Sequence, residues 1–387
     1  MSAGAASSQV VNGQLQMGDI VAGQKLNVID PADGVDVTTV AGGNTVHAGT
    51  DGHDLRLRST QRLQGAVRAN TDLVVHGWSP STAVLTAAAG NSADTSTRGS
   101  LHSEAVQTVA PEGSVAARAR VTAHPSASGD TSILAHALGN VQQHAVGGDR
   151  ARVRAEQYNY GARTTAEASA SLANVKGHAA LTAAAGANQI GLDVVADGTR
   201  LNARQVATGS TQATADLYAP AVYLGDAMSS AAANSITLNA QSATARLKAE
   251  QESLGYVRAE SIVTTGDFGA VNANAYGVGN TIAVAHLGEQ LTLDTDQLNT
   301  GGVDSVASFE GADGYDVGLS ASAYGNAVSA TACSDCDGAL TATNSQTNSG
   351  DISATGRVDI AGGRVVRSTA QAVGNSASYI VNKPKGH

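Results

Sequence analysis

Two residue series run through this chain in phase, and together they constrain the fold more than anything else in it. One is Asn44, Asn91, Asn140, Asn188, Asn234, Asn280, Asn326 and Asn375, with successive spacings of 47, 49, 48, 46, 46, 46 and 49. The other is Gln61, Gln107, Gln157, Gln205, Gln251, Gln297 and Gln346, spaced by 46, 50, 48, 46, 46 and 49. Each Asn closes a phrase such as Leu85-Thr-Ala-Ala-Ala-Gly-Asn91 or Leu319-Ser-Ala-Ser-Ala-Tyr-Gly-Asn326. After six of the seven Gln a glycine follows four residues later: Gly65, Gly161, Gly209, Gly255, Gly301 and Gly350. Such locked periods are the signature of a repeat architecture, in which similar units stack and only neighbours touch.

Within each phrase the pattern has period two, which marks half-buried strands. Leu201-Ala203-Gln205 and Leu247-Ala249-Gln251 form the inward rows, while Asn202 and Lys248 between them face water. Apolar residues do not recur at the three- and four-residue spacing of a helix. Identical phrases at a constant period predict an all-β fold, a parallel β-solenoid (β-helix) in which each phrase lies on its predecessor. Only 3% of residues are aromatic although 42% are hydrophobic, and 44 are glycine. The interior must therefore be narrow and filled by Ala, Val and Leu. Gly-Asn, and the Gly after Gln, read as corners, where positive φ is tolerated.

The 47-residue unit fits either one large coil or two half-size coils. Its halves resemble each other: Leu247-Lys-Ala-Glu-Gln251 and Val271-Asn-Ala-Asn-Ala275 each lead to a glycine and a second strand. That likeness favours two coils per unit, around sixteen in all, and a rod of roughly 75–80 Å at strand spacing. Residues 1–40 read as an N-terminal tail and capping segment, with about the first ten disordered. Residues 41–380 read as the solenoid and 381–387 as a flexible tail.

Chemistry-bearing motifs are sparse. Cys333-x-x-Cys336 lacks the strand-to-helix setting of a redox motif and has no further zinc ligands nearby. It sits where Asn326 to Gln346 widens to 20 residues from the usual 17, and reads as a local disulfide on a protruding loop. Asp30, Asp33 and Asp36, Asp294 and Asp296, and Asp335 and Asp337 could in principle hold calcium, but solvated turns are the simpler reading. No hydrolase, zinc-protease or phosphate-loop motif is present, so no catalytic residue, metal site or cofactor is expected and the chain reads as a non-enzyme. The Gln and Asn series read as structural ladders that satisfy backbone groups, although amide ladders also stabilise polymers.

The net charge of −10 argues against a nucleic-acid partner. The 23 Lys and Arg look scattered along the chain, and no apolar run approaches the ~20 residues of a transmembrane helix. Residues 1–8 lack the apolar core of a signal peptide.

The repeated Ala-x-Ala-x-Gly-Asn phrase, with Val10-Val-Asn-Gly-Gln-Leu-Gln-Met-Gly-Asp19 near the start, resembles the holdfast anchor protein family of stalked bacteria. That resemblance covers nearly the whole chain and carries no catalytic residues. It implies a structural, adhesive protein at the outer cell surface, secreted with its signal peptide removed. Such a protein would anchor an adhesive polysaccharide to the envelope beside other envelope anchor proteins, as a homo- or hetero-oligomer. A fibre-forming matrix subunit is the alternative, and a polysaccharide-acting β-helix enzyme a weaker one.

Overall fold

The computed structural model describes residues 7–333 and 339–381, and all their regular elements are β-strands. The first coil is β1 (Ser7–Gln16), β2 (Ile20–Ile29) and β3 (Val35–Thr50); the second is β4 (Asp54–Leu63), β5 (Ala66–His76) and β6 (Ser79–Thr97). Each of the next five coils pairs a short strand with a long bent one. These are β7 (Leu101–Val109) with β8 (Ser114–Val146), β9 (Arg150–Asn159) with β10 (Arg163–Val195), and β11 (Gly198–Ala207) with β12 (Ser210–Gln241). They continue with β13 (Thr244–Ser253) and β14 (Val257–Leu287), then β15 (Gln290–Asn299) and β16 (Val303–Ala332). The last coil is β17 (Ala339–Asn348), β18 (Ile352–Gly362) and β19 (Val365–Val381). The short strands form one eight-stranded sheet, and the others wrap into a second. The pairings are parallel. No helix among the described residues is long and apolar enough to cross a membrane.

The register corrects the expected coil size. Gln251 lies opposite Gln205 and Gln297, and Asn280 opposite Asn234 and Asn326. Ala275 pairs with Ser229 and Ala321, never with Gln251. One coil thus consumes the whole unit. The described residues form eight coils, a length of about 35 Å at strand spacing, half the expected rod. The two halves of the unit resemble each other because each is strand, corner, strand around its own lobe of core. The halves lie side by side within one layer.

Those lobes are separate apolar clusters. In the smaller, Leu201, Leu247 and Leu291 of the short strands face Ile190, Ile236 and Ile282 of the long ones. The larger holds the arm containing Val67, Ala69 and Leu73 against Val84 and Ala88, and the same arrangement repeats in later coils. Alanine rows such as Ala117, Ala166, Ala213 and Ala259 keep the facing strands close. Fully burying a leucine contributes about 1.5–3 kcal/mol, so the sparse large residues carry much of the core energy.

At the waist between the lobes stand the amides. Each Asn Nδ2 donates to Oδ1 of the next Asn, as in Asn188 to Asn234 and Asn234 to Asn280, both 2.8 Å. It also donates to the carbonyl of the residue after a Gln: Val206 from Asn188 and Glu252 from Asn234, both 2.9 Å. Each Gln Nε2 donates the other way, to the preceding Gln, as in Gln251 to Gln205 and Gln297 to Gln251, both 2.7 Å. Its second proton goes to the carbonyl after an Asn, Thr281 from Gln251 at 3.1 Å. Carbonyls only accept, so they fix which amide atom is nitrogen. Gln14 is an eighth member, accepting from Gln61 at 2.8 Å.

Glycine at the corner after Gln is required by close approach. A Cβ on Gly209, Gly255 or Gly301 would collide with the carbonyl of the glycine one coil below. The unit of Gln107 has no glycine four residues on. Register places Gly113 in the stack, because Ala66 pairs with Ser114, and two extra residues precede it. The first coil is also in register: β1 and β2 lie on β4 and β5, so Ser7–Val10 are strand where disorder was expected. Residues 1–6 and 382–387 lie outside the described residues, as do Cys336 and Asp335 and Asp337 beside it.

His144 is buried in this interior, with Nδ1 2.7 Å from Thr95 Oγ1. Desolvation lowers its pKa to about 4, although the Asp94 charge pulls the other way. An unfolded histidine binds a proton near pH 6.5. The folded chain therefore keeps this contribution above about pH 6.5 and loses it as pH falls towards 4, on the order of 3 kcal/mol in all. Unfolding measured across that range should show the loss in the wild type and a flatter profile in His144→Gln. Parallel profiles would mean that His144 is hydrated or protonated in the fold.

The ladder makes a second prediction. Gln251→Leu should cost about 1–3 kcal/mol by stranding its partners. Gln251→Glu should cost more at pH 8, about 3–5 kcal/mol, and less near pH 5, where the carboxyl can take a proton. Urea titrations at both pH values measure this, and a pH-independent penalty for the Glu variant would contradict a dry waist.

Candidate functional site

Far from the waist, the long strands bend at a second corner that follows the same period. Lys176, Tyr223, Gly269, Tyr315 and Arg364 occupy it, and Trp78 stands beside it two coils before Lys176, one residue before Ser79, which stacks under Ser128 and Val175. The register shows this alignment: Val175 lies opposite Val222, Val222 opposite Phe268, and Phe268 opposite Gly314, with the rim residue next in each coil. Alternation carries one residue inward and the next outward. Phe268 and Phe309, the only phenylalanines, fill the lobe beneath, edge to face at 5.0 Å and 78°. Gly314 and Gly311 make room for their rings.

Above this floor the rim stands in water. Trp78 is 44% exposed, Tyr223 64% and Tyr315 62%. The Lys176 ammonium lies 5.7 Å from the Trp78 ring centre, and the Arg364 guanidinium the same distance from Tyr315. Arg364 also forks onto Asp316, with Nε to Oδ1 at 3.0 Å and Nη2 to Oδ2 at 2.6 Å. That fork holds the Asp316 carboxyl below its ordinary range and raises the guanidinium. Val175, Lys176, Tyr223, Phe268, Asp313 and Tyr315 line an open trough of about 740 Å³. Flat apolar ring faces, flanked by donors on neighbouring coils, suit a polymer whose units are part apolar and part hydroxylic.

The residues singled out from the sequence lie elsewhere. The Gln and Asn series are within the waist, where a ligand cannot reach most of them. Cys333 follows β16, its N–H donating to the His286 carbonyl at 2.8 Å. Its pairing with Cys336 falls outside the described residues. Among the described residues no three His, Cys, Asp or Glu side chains converge as a metal site. Asp294 and Asp296 point outward from β15. The rim was missed because its aromatics are few and skip coils. Its signal was the spacing: 47 residues from Lys176 to Tyr223, 46 to Gly269, 46 to Tyr315 and 49 to Arg364.

The sequence model of one family, holdfast attachment protein D, matches residues 29–302, and the chain belongs to that family. No curated protein and no solved structure matches it.

Proposed function

We propose that this member of the holdfast attachment protein D family holds an adhesive polysaccharide at the outer surface of the bacterial envelope, through its aromatic rim. The family gives the attachment role and a place at the cell envelope, and it suggests a structural part without catalysis. The observation that carries the finer reading is the set of exposed aromatic rings along one corner of the solenoid, Tyr223 and Tyr315 in one file two coils apart and Trp78 beside Lys176. Each sugar bound is a weak contact, but a polymer meets several at once, and linked contacts multiply. A rigid parallel stack keeps the rings in file without ordering cost at binding. The secreted state and other envelope anchor proteins as neighbours belong to the same proposal, with the first coil serving as the cap of the solenoid.

Cells carrying Trp78→Ala, Tyr223→Ala and Tyr315→Ala together should shed holdfasts under flow at least about tenfold more often, a loss of ~1.4 kcal/mol in holding energy. The variant should fold normally, since these side chains are exposed. Normal attachment, with the variant at the cell surface, would remove the rim from the function. Normal attachment without the protein would remove the function itself.

One observation favours a fibre-forming role beside this. The ladders run in opposite directions, so the two end faces are complementary. At the C-terminal face Asn375 presents one amide proton and Gln346 an amide oxygen. At the N-terminal face Asn44 presents an oxygen and Gln14 one proton. A second copy stacked head to tail would continue both ladders, and open strand edges recruit other strands. Sedimentation over a wide concentration range should then show rods that shorten in Gln14→Leu with Asn375→Leu. A monomer at all concentrations would end the fibre reading.

A further inference from the structure

The basic residues, which look scattered along the sequence, are gathered by the fold. Five short strands, β4, β7, β9, β11 and β13, carry ten of the chain's Arg and Lys but only five carboxylates. The surrounding chain is acidic overall, with a net charge of −10. Within this patch one file stands out. Arg56 pairs with His102, His102 with Arg152, Arg152 with Arg200, and Arg200 with Arg246. All five side chains point outward and are exposed. They stand on successive coils, so the file runs along the solenoid axis for about 19 Å at strand spacing.

Like charges directly opposite each other destabilise a strand pair. The same sheet avoids this in the neighbouring rows. Arg58 meets Glu104 at 3.3 Å, Arg154 meets Glu156 at 2.7 Å, Arg204 meets Glu252 at 3.4 Å, and Lys248 meets Glu250 at 3.9 Å. In the file itself only His102 has a carboxylate, Glu104 at 3.5 Å. Among the described residues Arg56, Arg152, Arg200 and Arg246 form no ion pair. The row of Arg58 on one side balances its charges, whereas this file leaves four guanidiniums unbalanced and Arg150 on the other side stands beside them, also without an ion pair among the described residues.

The surface beside the file is grooved. A depression of about 330 Å³ is lined by Arg56, His102, Arg150 and Arg152, with Asp54 and Asp149 at its edge. The next, of about 240 Å³, is lined by His102, Arg152, Arg154 and Arg200, with Glu104 among them. They share His102 and Arg152 and so follow one another along the axis. Asp54 is already engaged, its Oδ1 accepting the Ser100 N–H at 3.0 Å.

We propose that this file is a track for a linear acidic polysaccharide, whose carboxylates or sulfates engage successive arginines as the polymer lies along the solenoid axis. A file of exposed forks suits a chain of repeated anions better than one small anion, which needs an enclosed cradle. Guanidinium matches planar oxyanions in two-point contacts. A nucleic acid is less suited. The rows flanking the file carry Asp54, Ser100, Arg150, Gly198 and Thr244 on one side and Arg58, Glu104, Arg154, Asn202 and Lys248 on the other, with no ring on which a base could stack. The track is on the short-strand sheet and the aromatic rim on the long strands, so this site does not rest on the rim reading.

The test uses the purified full chain and polygalacturonate fragments, with dextran as a neutral control. Wild type should bind polygalacturonate at 50 mM salt and not dextran through this file. Arg152→Gln with Arg200→Gln should weaken binding at least about tenfold and lower the salt slope by about two, since each neutralised anion contributes nearly one unit. Arg357→Gln with Arg367→Gln, in the last coil, should change nothing. The track variant should melt no lower than wild type, because two facing like charges are removed. Equal binding by the track variant, no binding by wild type, or tighter binding of poly(dT) of matched charge would each overturn the proposal. Holdfast retention is read separately, so attachment that fails with the rim variant while polygalacturonate still binds leaves the track standing.

Discussion

Every side chain in a parallel stack lies over its own counterpart. That constraint decides which polar groups the interior can hold. A carboxylate or an ammonium would meet a like charge one strand away, out of water, at a cost the narrow core could not offset. A primary amide both donates and accepts, so it can bond to copies of itself indefinitely. It also keeps one proton spare. Here that proton goes to a carbonyl across the waist, Gln251 to Thr281 and Asn234 to Glu252. The ladder therefore ties coil to coil and also fixes the distance between the two lobes. Shortening either amide by one methylene, or lengthening it, would break one of the two roles.

The two ladders have opposite polarity, with Asn protons directed to the next coil and Gln protons to the preceding one. Amide dipoles aligned in file would otherwise sum along the axis, as peptide dipoles do along a helix. Antiparallel files largely cancel. Eight coils can then be stacked without building up charge at the ends, and the same arrangement makes the end faces complementary. Stability in this fold is shared over nearest-neighbour contacts, so no single rung is decisive and the loss of one should be local.

Much of this was written in the sequence. The phase lock of Gln and Asn gave the parallel stack, the inward rows and the glycine corner. What misled was the likeness of Leu247–Gln251 to Val271–Ala275, which reflects a shared strand-and-corner geometry and not stacking. Period and internal likeness are different signals, and only a constant partner across the whole series, Gln with Gln, distinguishes them. The surface sites were harder to see for a physical reason. The waist demands the same residue in each coil, so it repeats visibly. Outward positions have no such demand, and a functional row is held by phase alone. Tyr223 and Tyr315 are two coils apart, and the arginine file is interrupted by His102.

Coil length varies from 46 to 50 residues, and where that variation is absorbed bears on function. Across the ladders the register is unbroken from Gln14 to Gln346. Two extra residues sit before Gly113 and three between Asn326 and Gln346, and the register slips lie at the far corner, between Leu172 and Asn174 and between Val175 and His178 or Ala179, depending on the neighbour. Lys176 of the aromatic rim lies within that slip. A bulge there bends the strand and re-aims side chains without disturbing the waist. The far corner is thus one of the places where the backbone takes up extra residues, and it also carries the exposed rings. The amide ladders make this possible: because they hold the layers in step on their own, the opposite corner is free to change sequence and shape.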